Sequence, residues 1–125
     1  MVKSVIYTLT AIVLCLVLFI CVELYVDKQF EDFSAAVDTL YKKVEDETAN
    51  REDGYAVKEM WLDKKSKLHV FVPHNDISYV DYWLNETCGL IYIGDYEGAL
   101  CKLEVLKEIA DALPGSYAVR LENIF

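Results

Sequence analysis

From Ser4 to Val22 the chain carries no charged side chain, and the stretch AIVLCLVLFICV, Ala11 to Val22, is apolar throughout. A helix that crosses the hydrocarbon core of a bilayer needs about 20 apolar residues, because each adds roughly 1.5 Å along the axis. Inside such a helix every backbone polar group is paired, as a lipid environment requires. The run therefore predicts a membrane span at about residues 4–24. A cleaved leader fits less well, since VELYVDKQ follows the run and contains no small-x-small site. Leu18, Phe19 and Ile20 are also too bulky to precede a lipidated Cys21. The charges flanking the run set the orientation. Lys3 and the α-amine lie before it, and Glu23, Asp27, Lys28, Glu31 and Asp32 after it. Positive charge stays in the cytoplasm. The expectation is a single-pass protein with a cytoplasmic amino terminus and an extracytoplasmic carboxy-terminal domain.

This divides the chain into an anchor, residues 1–26, and an acidic domain, residues 27–125. The anchor holds one lysine and one glutamate, so the whole net charge of −9 falls on the second part. Such a domain is repelled by phosphate backbones, which argues against nucleic acid as a partner. The expected partners are the lipid bilayer, through residues 4–24, and another envelope protein.

The hydrophobic period then becomes helical. Phe30, Phe33, Val37, Leu40 and Val44 form one stripe, and without proline or glycine before Arg51 the anchor continues into this helix as one rod. NREDGY is read as the break, with Asn50 and Gly54 supplying stop and turn chemistry. A second helix follows over residues 55–71, with Val57, Trp61, Lys64, Leu68 and Phe71 facing inward. Lys64 is an imperfect member whose aliphatic stem can lie along apolar surface. Pro73 stops this helix, and Asn75 or Asp76 caps a third, carrying Ile77, Val80, Leu84, Cys88 and Ile91. Gly94 ends the third helix and Asp95 caps a fourth, with Ala99, Leu103, Leu106, Ile109 and Leu113. Pro114-Gly115 ends the fourth, and Ser116 caps a short closing segment. The fold class is all-α: a transmembrane helix followed by an antiparallel helical bundle or stacked helical hairpins. DYEGAL looks like the start of a tetratricopeptide helix, but no second copy follows at the required period.

Taken in order, Trp61 with LDKKSKL, the stretch FVPHNDI, then DYEGALCKLEVLKEIADALPGSY and the closing LENIF resemble the DUF4363 family of small membrane-anchored bacterial proteins. The resemblance covers nearly the whole chain. It implies a membrane-attached helical domain from a spore-forming or related Gram-positive bacterium. That family has no assigned activity, so no catalytic residue is carried over. Pro73 before His74 departs from the family pattern and leaves that helix boundary open.

Catalytic signatures are lacking. His69, His74 and Asp76 supply the ligand types for zinc, but a spacing of five across a proline does not place both imidazoles on one face. The acidic run around Asp46 fails as a calcium loop, since Arg51 falls where glycine is needed. Nothing resembles a nucleophile elbow or a phosphate-cradling glycine loop. No cofactor is expected.

The aromatic residues carry the functional reading instead. Trp61, Tyr79, Tyr82, Trp83, Tyr92 and Tyr96, with His74, form either ordinary core and boundary packing or a partner or ligand patch. Cys88 and Cys101 sit at matching distances either side of the Gly94-Asp95 turn. They read either as a disulfide, if their Cα atoms come within about 7 Å, or as two reduced core thiols. The expected function is a non-enzymatic interaction or scaffold protein of the cell envelope. A ligand-sensing bundle is the alternative, and a metal-dependent enzyme comes third.

Overall fold

The computed structural model describes residues 1–122, with side chains given as far as Leu113. Four helices and no strand occur among them: α1 (Val2–Glu45), α2 (Arg51–Leu68), α3 (His74–Tyr92) and α4 (Tyr96–Glu122).

The expected rod is present, since α1 runs unbroken from the apolar segment into the bundle. Its first half is long and apolar enough to cross a membrane, and none of it is buried against the rest of the protein. From Val26 onward one face is covered. Val26, Phe30, Phe33, Val37, Leu40 and Val44 are all buried, which is the stripe that the three-and-four spacing requires.

The pairing of side chains shows how the helices lie. Between α1 and α2, Lys43 meets Asp53 at 2.9 Å and the ring of Tyr25 meets that of Phe71 at 6.3 Å, so the two are antiparallel. Between α1 and α4, Ser34 donates to Asp111 (2.7 Å), Lys107 pairs with Asp38 (3.0 Å) and Tyr41 donates to Glu104 (3.3 Å). Those partners again run in opposite directions. α3 packs on α2 and on α4, which closes a four-helix bundle around one core. The α1–α2 and α3–α4 turns therefore lie at the end far from the apolar segment. The α2–α3 loop lies at the near end, beside Tyr25.

Several expected boundaries move, each for a local reason. α1 stops at Glu45 rather than at NREDGY, and Glu47 takes a left-handed conformation (φ 57°). There the Thr48 amide reaches back to the Lys43 carbonyl (2.9 Å) and the Glu47 amide to that of Val44 (3.0 Å). This satisfies carbonyls left open at the helix end, at a cost of roughly 1–2 kcal/mol for a residue with a Cβ. Asn50 does not end a helix but begins one. Its side chain accepts from the Asp53 amide, and the Asp53 carboxylate accepts from the Asn50 amide. Gly54 is a buried residue within α2, not a turn.

α2 ends at Leu68, so Phe71 leaves the inward stripe and Val72 takes its place in the core. The Phe71 and Val72 amides both bond the Leu68 carbonyl at 2.9 Å, and this tight loop turns Phe71 outward. Asn75 and Asp76 lie inside the first turn of α3, whose cap residue is Pro73, with no side-chain cap bond. The extended conformation before a helix suits proline, and its missing amide lies where no partner is needed. On α3, Thr87 is buried where Cys88 was expected, its hydroxyl donating to the Trp83 carbonyl at 2.8 Å. Gly94 does end α3, with φ 79°, and the Asp95 carboxylate does cap α4 by accepting from the Gly98 amide at 3.0 Å.

α4 continues through Pro114-Gly115 to Glu122, so the predicted stop and the separate segment capped by Ser116 do not occur. A helix already several turns long needs no new nucleus, so it can continue past a proline despite the lost ladder bond and the ring's crowding of the carbonyl one turn back. The last three residues, 123–125 of the closing LENIF, lie outside the described residues.

The Asn50 cap yields a measurable effect. Asn50→Ala is expected to cost about 1 kcal/mol of bundle stability, read as a lower urea midpoint for the full chain in detergent. Acid should weaken the same cap. The Asn50 backbone amide, and then Lys43, hold the Asp53 carboxyl below its usual value. A carboxyl lowered on folding contributes stability above its unfolded pKa, near 4, and loses it as pH falls through the folded value. A stability difference between wild type and Asp53→Ala that persists undiminished in strong acid would contradict this.

Candidate functional site

The aromatic residues expected to cluster are divided among three places. Trp61 belongs to the core. It is 1% exposed, lies between Phe33 (ring centroids 4.8 Å apart) and Phe30 (6.4 Å), and its indole donates to Asp81 Oδ1 at 2.7 Å. Asp81 also accepts from Lys65 at 2.6 Å, so the indole proton is met by a carboxylate that is itself neutralised. Trp61 is therefore not available to a partner. The same interior takes in Lys64, whose ammonium donates to Gln29 (3.0 Å) and pairs with Asp32 (3.5 Å). Its place in the apolar stripe is thus tolerated because its charged tip has partners on α1.

Tyr92 and Tyr96 lie at the far end. The Arg51 guanidinium stands over the Tyr92 ring at 4.8 Å and the Tyr55 ring at 5.1 Å. The Tyr96 hydroxyl donates to the Ala49 carbonyl at 3.1 Å, which fastens α4 to the α1–α2 turn. Both therefore hold the bundle's distal end together.

The remaining three residues form the candidate site. Tyr79 and Tyr82 project from α3 at 59% and 56% exposure, and Trp83 is half-buried beside them. Tyr82 and Trp83 meet edge to face at 5.4 Å. With Asn75 and Ser78 they line an open hollow on the outer surface of α3. The spacing explains the arrangement: Asn75, Ser78, Tyr79, Tyr82 and Glu86 recur at three and four residues, on the face opposite Ile77, Val80 and Leu84.

Charge fixes one edge of the hollow. The Lys102 ammonium stands 4.8 Å from the Trp83 ring centre and pairs with Glu86 at 3.2 Å. Hydrogen bonding from Tyr82 first, then from Lys102, holds the Glu86 carboxyl below its ordinary value, while the Tyr82 phenol is raised by Glu86. Tyr82 thus stays neutral and remains a donor across the ordinary pH range. Lys102 was not singled out from the sequence. The available signal was register, since Glu86 and Lys102 lie equally far from Gly94 and so at one height on an antiparallel pair.

The other candidates are dispersed. His74 is exposed at the start of α3, and exposed His69 uses Nδ1 against the Ser66 carbonyl at 2.7 Å. Among the described residues no group of His, Cys, Asp or Glu is disposed to hold a metal ion, so His69, His74 and Asp76 are not gathered into one site. Cys88 and Cys101 are free thiols. The Cys88 thiol turns toward α2 and donates to the Gly54 carbonyl at 3.4 Å, whereas Cys101 is exposed on α4. Equal height along the hairpin does not make them face each other, because they point to different sides. Burial pushes the Cys88 thiol up, the opposite of what a reactive cysteine needs.

No family model, no curated protein and no solved structure matches the chain.

Proposed function

We propose that this protein is a single-pass, membrane-anchored docking module that binds another envelope protein through the outer face of α3. The carrying observation is the pair Tyr79 and Tyr82, large aromatic side chains held in the open by a rigid helix with Trp83 beside them. Tyrosine and tryptophan on a preformed surface bring large contact area at low entropic cost, which is why they dominate interface energetics. The acidic surface, with all of the −9 charge beyond the anchor, favours a partner of basic character. The uncharged run, with Lys3 before it and Glu23 and Asp27 after it, supports an anchor with its amino terminus in the cytoplasm and the bundle outside. Membership of the DUF4363 family remains a proposal from motif order and adds no activity to this reading.

The other functions draw less support. A ligand-sensing bundle would want its aromatics around an interior site, but Trp61 fills the core and the α3 hollow is open. A metal-dependent enzyme would need His69, His74 and Asp76 together.

The test is co-purification from native membranes using full-length wild type and the Tyr79→Ser/Tyr82→Ser double variant. Both positions are exposed, so the variant should keep the wild-type circular dichroism. A protein retained by wild type and reduced at least about tenfold with the variant supports the face as a hot spot. Equal recovery with both would remove α3 from the interface.

A further inference from the structure

We infer that the α2–α3 loop is a membrane-seating element, with Val70 and Phe71 lying in the interfacial layer of the same bilayer that the apolar half of α1 crosses. This rests on the anchor reading and extends it to a second part of the chain.

The geometry leaves little distance between bundle and bilayer. The uncharged run ends at Val22, and Val22 already packs against the bundle core, with Val26 buried one turn later. No linker intervenes, because α1 is continuous through both. Tyr25 lies three residues past Val22, about 4.5 Å further along the axis at 1.5 Å per residue. The polar layer on each side of the hydrocarbon is about 5–7 Å thick, so Tyr25 falls within it. Phe71 touches Tyr25 edge to face at 6.3 Å. The loop is thereby fixed at the height where lipid headgroups begin.

The composition of the loop fits that place. His69-Val70-Phe71-Val72-Pro73 contains no carboxylate, in a protein with net charge −9. Val70 is 72% and Phe71 42% exposed, whereas Val72 is buried and pins the loop to the core. Tyr25, also exposed and in ring contact with Phe71, continues the apolar patch onto α1. The turns at the far end differ: exposed Ile93 stands two residues from Asp95, and the α1–α2 turn carries Asp46 and Glu47. Exposed valine and phenylalanine on a tight loop incur a hydration cost in water, and aromatic and apolar side chains at headgroup level do not. With two attachments, the span and the loop, the bundle is held at a fixed tilt, and the aromatic face of α3 is presented at a defined height above the bilayer.

The experiment uses the full chain reconstituted in phosphatidylcholine vesicles with and without bromine on the acyl chains near the headgroup. Tryptophan is introduced singly as Val70→Trp, Tyr79→Trp and Leu18→Trp, against the unchanged background of Trp61 and Trp83. The expected result is that Leu18→Trp and Val70→Trp add fluorescence that brominated lipid quenches, with blue-shifted emission, while the intensity added by Tyr79→Trp is untouched. Quenching of Leu18→Trp without quenching of Val70→Trp overturns the seating proposal and leaves the anchor standing. That outcome includes a loop covered by a second copy or another protein. Failure to quench Leu18→Trp overturns the anchor and the seating together. The Val70 side chain is exposed, so the substitution leaves the fold intact, which unchanged circular dichroism verifies.

Discussion

Trp61→Ala is expected to lower the unfolding free energy of the bundle by about 3–5 kcal/mol, the range for removing a large aromatic from a packed interior. A domain of this size has a total stability on the order of 5–15 kcal/mol, so the variant approaches the edge of folding. At about 4–8 °C per kcal/mol, the melting temperature falls by roughly 12–40 °C. The effect has two sources. The indole ring fills the space between Phe30 and Phe33 of α1, so its loss leaves a cavity where α1 and α2 meet. The indole N–H also satisfies Asp81 of α3, so its loss leaves a partly buried carboxylate with Lys65 alone. Trp61→Phe separates the two: most of the ring contact remains, the hydrogen bond goes, and the cost should fall to about 1–2 kcal/mol. The measurement is thermal unfolding of the full chain in detergent, followed by circular dichroism. A Trp61→Ala loss below that of Trp61→Phe would show that the ring is not the centre of the core.

Much of this core was legible from periodicity alone. The stripe Phe30, Phe33, Val37, Leu40 and Val44 on α1 is buried as its spacing predicts, and so are Ala99, Leu103, Leu106 and Leu113 on α4, where Ile109 is only partly buried and its neighbour Ala110 takes the inward place. Boundaries were legible only where the chemistry of the turn residue was explicit. Gly94 at φ 79° and Glu47 at φ 57° end their helices by the same hydrogen-bonding pattern. Glycine announces that conformation because it lacks the steric penalty, and glutamate does not. For the same reason Asn50 was misplaced. Asparagine serves both as a helix stop and as an N-cap, and only the reciprocal bond to Asp53 distinguishes the two.

Side-chain direction was harder to read, because a bundle helix faces two neighbours and one-dimensional spacing gives only one stripe. Trp61 and Trp83 look alike in sequence. One is sealed by Phe30 and Phe33, and the other borders a surface hollow under Lys102. Cys88 and Cys101 have matching heights yet face α2 and solvent respectively. Phe71 fits the inward period of α2, but the helix ends three residues before it and the loop rotates it outward. That rotation places an exposed phenylalanine beside Tyr25, which no pattern within α2 could indicate.

Gly54→Val is expected to destabilise the bundle by about 2–3 kcal/mol, through overpacking rather than through any turn geometry. Gly54 is helical, with no positive φ, so its backbone accepts any side chain. What excludes one is α3. A Cβ at this position would stand 3.3 Å from Cys88 Sγ, 3.7 Å from Ile91 Cδ1 and 3.8 Å from Cys88 Cα. A single methyl is close to the limit. For Gly54→Ala, helix propensity gains about 1 kcal/mol, and the displaced thiol offsets a similar amount, so the net change is near zero. The two added methyls of valine have no such allowance, because behind the thiol lies the backbone of α3. The contact makes the effects of the two positions interdependent. In a Cys88→Ala background the sulfur is gone, so Gly54→Ala should become stabilising by up to about 1 kcal/mol and the cost of Gly54→Val should fall by a similar amount. Urea unfolding of the single and double variants of the full chain supplies the cycle. Strictly additive effects would mean that the thiol does not set the limit at Gly54, and the close approach of α2 and α3 would then rest on Ile91 and the backbone alone.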